Sequence, residues 1–315
     1  MAPRLSIHPP LLNTACPWAT TPDHLESLLK CPSTGAITTR TSLIQGFAHD
    51  DAVHQYALFD PVSNTAHQGT PSPSPAPVGS INSFGYSPLP LDTYLAALQH
   101  LSAALPNVCK PAIISVAGPP PSVAACYASI MAASPRITFP LAMEINLSCP
   151  NIPGRPPPAY DPASLTAYLS ALPQEPLIPV GVKTPPYTYS AQFTSLADAL
   201  EPYASRISFV TATNTLGSCV VSHADGQDAL PGGTGGMAGV AIHPLSVGNV
   251  RALTRLLSER GLDGVDVIGA GGVHDGASYR RMRSAGAKAV GLATALASRG
   301  VGVFEDIERL LDSEW

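Results

Sequence analysis

Read in order, the segments LAMEINLSCPN (141–151), DPASLTAYLSAL (161–172), PVGVKTPPY (179–187), SAQFTSLADAL (190–200) and ISFVTATNTLG (207–217) decide the fold. Three of them hold short β-rich or apolar runs, Leu141 to Asn146, Pro179 to Lys183 and Ile207 to Thr213. The two between, Pro162 to Leu172 and Ser190 to Leu200, space their apolar residues at helical intervals. Strand and helix in alternation mean parallel strands with helices outside them.

The same pattern extends in both directions. Further strands are expected at Leu11 to Asn13, Ala36 to Thr39, Ala112 to Val116, Val265 to Ile268 and Ala289 to Leu292. Further helices are expected at Asp23 to Leu29, Ser122 to Ala132, Pro244 to Glu259 and Asp275 to Ala285. Eight units favour a closed (β/α)8 TIM barrel of the α/β class over an open sheet, and 315 residues suit one such domain. About seventy residues between the second and third strands break the rhythm. This insertion reads as a lid or binding loop, with its Pro/Ser-rich part, Thr70 to Pro77, a flexible surface tract. The segment Gly79 to Tyr86 differs in character from that tract.

Composition excludes several classes of function. Hydrophobic residues make up 45% and charged ones 12%, enough apolar material for a large core. A net charge of −5 and only four lysines offer no phosphate-neutralising surface, so neither a nucleic acid nor an anionic membrane is expected as partner. The N-terminus lacks the charged and apolar regions of a signal peptide, and no run of about 18 apolar residues occurs. A cytoplasmic protein is expected. Six scattered cysteines without a Cys-x-x-Cys pair suggest no zinc site or iron–sulfur cluster, and free, mostly buried thiols.

In a barrel, the residues after each strand converge on one face, where active sites are built. There this chain places MEINLSCPN (143–151), VKTPPY (182–187), TATNTLG (211–217), IGAGG (268–272) and GLATAL (291–296). Lys183 ends an apolar run, so its ammonium either points into the mouth toward an anion, snorkels to solvent or pairs with a structural carboxylate. A reduced flavin, negative near N1 and O2, is one suitable anion. Gly271 and Gly272, with Thr294, stand where barrels bind phosphate, and a tight turn would account for the glycines equally well. The tract Pro231 to Gly239 suits either close approach to a ligand or a mobile loop. Asn82, Asn146, Asn151 and Asn214 each offer donors and an acceptor, the set that reads a planar ring of adjacent N–H and C=O groups. Cys149 stands just past the fourth strand and can serve as a base or nucleophile, provided its pKa falls below the free value of about 8.5.

Together, MEINLSCPN, VKTPPY, SINSFG (80–85), GGTGG (232–236) and IGAGG resemble the class 1A dihydroorotate dehydrogenases, the cytosolic, fumarate-using type, over nearly the whole chain. The resemblance implies FMN as cofactor, dihydroorotate and fumarate as substrates in pyrimidine synthesis, and a homodimer. It implies Cys149 as the base that takes the C5 proton while hydride leaves C6 for the flavin, with Lys183 stabilising the reduced ring. Substrate contacts are implied at Arg40, Asn82, Phe84, Gly85, Tyr86, Asn146, Asn151, Asn214 and Thr215. Flavin contacts are implied at Thr14, Ala15, Arg40, Thr41, Asn146, Lys183, Thr213, Gly236, Gly271, Gly272, Ala293 and Thr294. The chain departs from the family at Arg40, where a lysine is usual, at Ala293, where a glycine is usual, and in the length of the insertion Asp50 to Pro77. The Arg40 change keeps open a related flavin barrel acting on another cyclic amide or enone. A catalytically lapsed flavin-binding homologue is the third reading, and Cys149 argues against it.

Overall fold

A computed structural model of the chain describes residues 2–67, 76, 78–152, 154, 156–311 and 315. In chain order come β1 (Leu11–Asn13), α1 (Pro22–Lys30), β2 (Ile37–Thr38), β3 (Tyr56–Asp60), β4 (Thr65–Ala66), β5 (Gly79–Asn82) and α2 (Leu91–Ala104). There follow β6 (Ala112–Val116), α3 (Pro120–Ala133), β7 (Leu141–Asn146), α4 (Pro162–Ser170), β8 (Val180–Thr184), α5 (Ser190–Leu200) and β9 (Phe209–Ala212). The last part holds β10 (Leu216–Cys219), β11 (Gly235–Gly239), α6 (His243–Glu259), β12 (Asp266–Ala270), α7 (Gly276–Ser284), β13 (Ala289–Leu292), α8 (Thr294–Arg299) and α9 (Gly302–Arg309).

Eight parallel strands run β1-β13-β12-β9-β8-β7-β6-β2. A parallel bridge between Leu12 and Ala36 joins the two ends, so the sheet closes into the expected barrel. At that seam the Asn13 carboxamide accepts from Thr38 N–H at 3.0 Å and donates to Thr38 O at 2.6 Å, replacing backbone rungs the short strands lack. The eight expected strands match these in order, four of them at both ends and the others with ends shifted by one or two residues.

Alternation along the strands sorts residues into barrel interior and helix layer. Outward residues such as Leu11, Ile114, Met143, Val182, Val210 and Val290 pack against Leu98, Ile130, Leu169, Leu196, Leu253 and Phe304 of the helices. Each such buried aliphatic contributes about 1.5–3 kcal/mol by leaving water. Inside, Leu12, Ala36, Ile113, Ala142, Phe209, Ile268 and Ala289 fill the base. Gly181 makes room for Phe209, whose ring would lie 2.3 Å from any Cβ there. One layer up, the buried Glu144 carboxylate accepts from Ser115 Oγ at 3.0 Å and Thr211 Oγ1 at 2.7 Å. The next layer, at the mouth, holds Asn146 of β7, Lys183 of β8 and Thr213 just past β9.

The insertion is more ordered than the sequence reading allowed. It supplies β3, β4 and β5, which join β10 and β11 in a five-stranded antiparallel sheet, order β10-β11-β5-β3-β4. Phe59, Ala66, Ile81, Val221 and Leu230 form its own small core. Ser80 Oγ meets Thr294 Oγ1 at 2.8 Å, which docks this sheet over the strands' C-terminal ends. Helix α2 also lies in the insertion, its apolar face built from Leu91, Tyr94, Leu95, Leu98 and Leu101. Of the tract Thr70 to Pro77, all but Ala76 lies outside the described residues. No helix among the described residues is long and apolar enough to cross a membrane.

Candidate functional site

Asn146, the last residue of β7, anchors the mouth. Its Nδ2 donates to Thr41 Oγ1 at 2.9 Å, and its Oδ1 accepts from Ser148 Oγ at 2.8 Å and from Asn214 Nδ2 at 3.3 Å. Across the cleft, Asn151 Nδ2 donates to Asn82 Oδ1 at 3.1 Å and to Phe84 O at 2.9 Å, while Asn82 Nδ2 donates to Gly236 O at 3.1 Å. The four asparagines therefore form two bonded pairs, Asn146–Asn214 and Asn82–Asn151. Among the described residues, Asn151 Oδ1 receives no protein donor and remains available to a ligand.

Both pairs line a cleft with about 760 Å³ of open space, together with Cys149, Lys183, Arg40 and Thr215. Phe84, Gly85 and Tyr86 line the same cleft, as do Trp18 and Tyr56, two aromatics the sequence reading missed. They packed unseen because Tyr56 reaches the site from the insertion, where its ring lies 5.7 Å from Phe84 and 5.3 Å from Trp18. Lys183 is buried, and among the described residues no carboxylate pairs with it. Neither snorkelling nor a structural ion pair among the described residues accounts for its charge, and it faces the cleft. Arg40 is also buried; Nη2 donates to Tyr86 O at 3.3 Å, and the guanidinium lies 5.4 Å from the Phe84 ring centroid. Burial lowers its pKa, opposed in part by Tyr94 and Cys16.

Cys149 is half-buried, its Sγ 3.9 Å from Phe84 O. The sequence made a thiol below the ordinary value the condition for Cys149 to act as base. Burial pushes it up, and the Asn151 backbone N–H and the Lys183 ammonium pull it down only in part. Of the other cysteines, Cys16, Cys31 and Cys126 are buried, Cys219 is half-buried and Cys109 is exposed, fewer buried than expected.

A second cavity of about 670 Å³ shares Lys183, Ala15, Asn214, Thr215, Ala293 and Thr294 with the first, so the two are ends of one cleft. Its far end is glycine-built. Gly271 and Gly272 adopt φ of +130° and +73°. A Cβ at Gly271 would meet Ser246 Oγ at 2.0 Å, and one at Gly272 would meet Gly239 O at 2.7 Å. Among the described residues, the backbone N–H groups of Gly271, Gly272 and Val273 have no protein acceptor. Successive unsatisfied N–H groups in a turn form a concavity that takes a phosphate. Thr14, Thr213, Ala293 and Thr294 line the same cavity. Gly236 does not: it pairs with Asn82, and Gly239, three residues on, takes the lining position. Thr41 faces the other end of the cleft. His274 and Arg299, also missed, border the glycine end. A phosphorylated ligand with a planar ring over Lys183 fits this donor set from end to end.

The family model for dihydroorotate dehydrogenase matches residues 51–314. The dihydroorotate dehydrogenase (fumarate) of Trypanosoma cruzi is 33% identical over 252 residues, 78% of this chain and 77% of that protein. The Saccharomyces cerevisiae protein of the same name is 32% identical over 251 residues, 78% of this chain and 76% of its own. A putative dihydroorotate dehydrogenase A (fumarate) of Streptococcus uberis is 31% identical over 245 residues, 77% of this chain and 75% of its own.

Proposed function

Because the chain belongs to the dihydroorotate dehydrogenase family, we propose that it oxidises dihydroorotate to orotate with fumarate as electron acceptor, in pyrimidine synthesis. The observation that carries this reading is the convergence of Cys149, two asparagine pairs and a buried Lys183, unpaired among the described residues, on one cleft that ends in a glycine turn. The cofactor in this reading is FMN, whose ring and ribityl chain Lys183, Thr14, Ala15, Thr41 and Thr213 would hold. Gly239, Gly271, Gly272, Ala293 and Thr294 would hold the phosphate. No G-x-G-x-x-G follows a strand, which disfavours a dinucleotide. Bound there, FMN supplies the acceptor for the hydride leaving C6.

The chain's own groups do the rest. Asn82, Asn146, Asn151 and Asn214 read the ring's amide edges, and Arg40 with the N–H groups of Gly85 and Tyr86 holds the carboxylate, the Phe84 N–H being given to Asn82 Oδ1 at 3.2 Å. The Cys149 thiolate takes the C5 proton, so that loss of that proton and the C6 hydride leaves the C5=C6 double bond of orotate. The Lys183 ammonium puts positive charge at the cleft floor. Fumarate leaves as succinate after taking up two electrons and two protons, and the Cys149 thiol is placed to return one of those protons.

The chain acts as one cytoplasmic domain and a homodimer in this reading. Val62, 89% exposed, and Val220, 56% exposed, flank the Thr65–Ser222 bridge of the second sheet and offer apolar surface to a second copy. Arg40, stacked on Phe84 where the family has lysine, supports one alternative substrate class, another cyclic amide or enone. Steady-state assay decides between them. The purified protein should be yellow, release FMN on denaturation, and form orotate and succinate in equal amounts from dihydroorotate and fumarate. A protein that takes up no FMN, or that turns over only a different cyclic amide, overturns the assignment.

A further inference from the structure

Three successive carbonyls of the turn after β12 are held by hydrogen bonds, one from a backbone N–H and two from imidazoles. Ala270 O accepts from Thr213 N–H at 2.8 Å, Gly271 O from His243 Nδ1 at 2.8 Å, and Gly272 O from His274 Nδ1 at 2.9 Å. Behind them stand two arginines. Arg281 Nε donates to His243 Nε2 at 3.1 Å, and Arg299 Nη1 donates to His274 O at 2.9 Å. Arg299 is itself held by an ion pair with Asp306.

Arginine has only donors, so His243 Nε2 must be the acceptor and Nδ1 must carry the proton. Arg281 therefore selects the tautomer that can hold Gly271 O. Burial, and then the charge of Arg281, keep the imidazole below its ordinary pKa, consistent with that neutral form. In a planar trans peptide the C=O of one residue and the N–H of the next point in opposite directions. Anchoring the oxygens of Ala270, Gly271 and Gly272 accordingly fixes their peptide planes and aims the N–H groups of Gly271, Gly272 and Val273 the other way. Those are the three amides without a protein acceptor. Two adjacent glycines would otherwise let their peptide planes turn freely, at a cost in entropy when an anion must order them.

We propose that His243, set by Arg281, and His274, whose main-chain carbonyl Arg299 holds, are positioning residues that pre-aim the phosphate-binding amides and thereby make this site prefer FMN over the unphosphorylated flavin. This rests on the FMN reading above. The loss of one such support should cost phosphate affinity about tenfold, in the range of a single well-placed hydrogen bond, and should leave the ring's contacts untouched.

The test is a pair of fluorescence titrations, FMN and riboflavin, on protein reversibly stripped of flavin. Wild type should bind FMN more tightly. Arg281→Ala and His243→Ala should weaken FMN about tenfold while changing riboflavin less than about twofold. His243→Gln, whose amide can accept from Arg281 and donate to Gly271 O, should restore most of the preference. Parallel loss of both ligands, or an FMN affinity unchanged in both variants, overturns the brace. Should His243→Ala not refold, Arg281→Ala, altered at an exposed side chain, makes the same distinction. Wild type that binds neither flavin overturns the FMN reading and the brace with it.

Discussion

The sulfur of Cys149, on the loop after β7, lies 3.9 Å from the carbonyl oxygen of Phe84, on the loop after β5. The proposed base is thus seated where the barrel meets the second sheet, with its S–H turned to an acceptor. Burial raises the thiol, while Lys183 opposes that rise. The active form is the thiolate. Flavin reduction by dihydroorotate should therefore quicken with pH and level off only above the ordinary thiol value of about 8.5. Removing the ammonium in Lys183→Ala should move that alkaline limb higher still, while FMN stays bound through the glycine turn. A rate independent of pH from about 6 to about 10 would contradict this role for Cys149.

Substitution separates proton removal from recognition. Cys149→Ala should keep the fold, the flavin and orotate affinity, because the asparagine pairs hold the ring. It should slow flavin reduction by ~10²–10⁴, as expected for a lost general base. Cys149→Ser should keep a little activity that rises at high pH, a hydroxyl being the weaker base. Stopped-flow reduction measures both. Fast reduction in the alanine variant would give the proton to another group or a water.

Arg40 should prove to be more than a tolerated change. Its guanidinium packs on Phe84 and donates to Tyr86 O, contacts a lysine cannot reproduce in the same geometry. Arg40→Lys should raise the KM for dihydroorotate by about tenfold or more, with FMN content unchanged. Unaltered or improved turnover would show that either cation serves.

Glu144 lies below the cleft, and its carboxylate satisfies the hydroxyls of Ser115 and Thr211 in the barrel interior. Glu144→Ala should destabilise the protein by about 2–4 kcal/mol, since it opens a cavity and leaves buried hydroxyls with fewer partners. Glu144→Gln should recover part of that loss. Denaturant unfolding of the three proteins measures it; equal midpoints would remove Glu144 from the structural core.

Much of this was legible beforehand. Barrel strands such as Leu141–Asn146 are buried along their whole length, so they read as apolar runs. Cys149, Lys183 and Asn214 follow such runs directly, and chain position alone brings them to the mouth. The second sheet left no comparable trace. Its strand Gly235–Gly239 reads GGMAG, without alternation, and exists through its register with β5, Gly236 opposite Asn82 and Gly239 opposite Gly79. That register decides which glycine faces the cofactor, and it cannot be seen in the glycine tract. Trp18, Tyr56, His243 and Arg281 come from separate units and meet only through tertiary packing.

The most direct test of the central claim is an anaerobic half-reaction, with the visible flavin absorbance followed as dihydroorotate is added to the holoenzyme. This account predicts bleaching, with orotate formed in proportion to bound FMN, and full recovery of the absorbance when fumarate follows. Flavin that stays oxidised under dihydroorotate, yet is bleached by a different cyclic amide or enone, would contradict it.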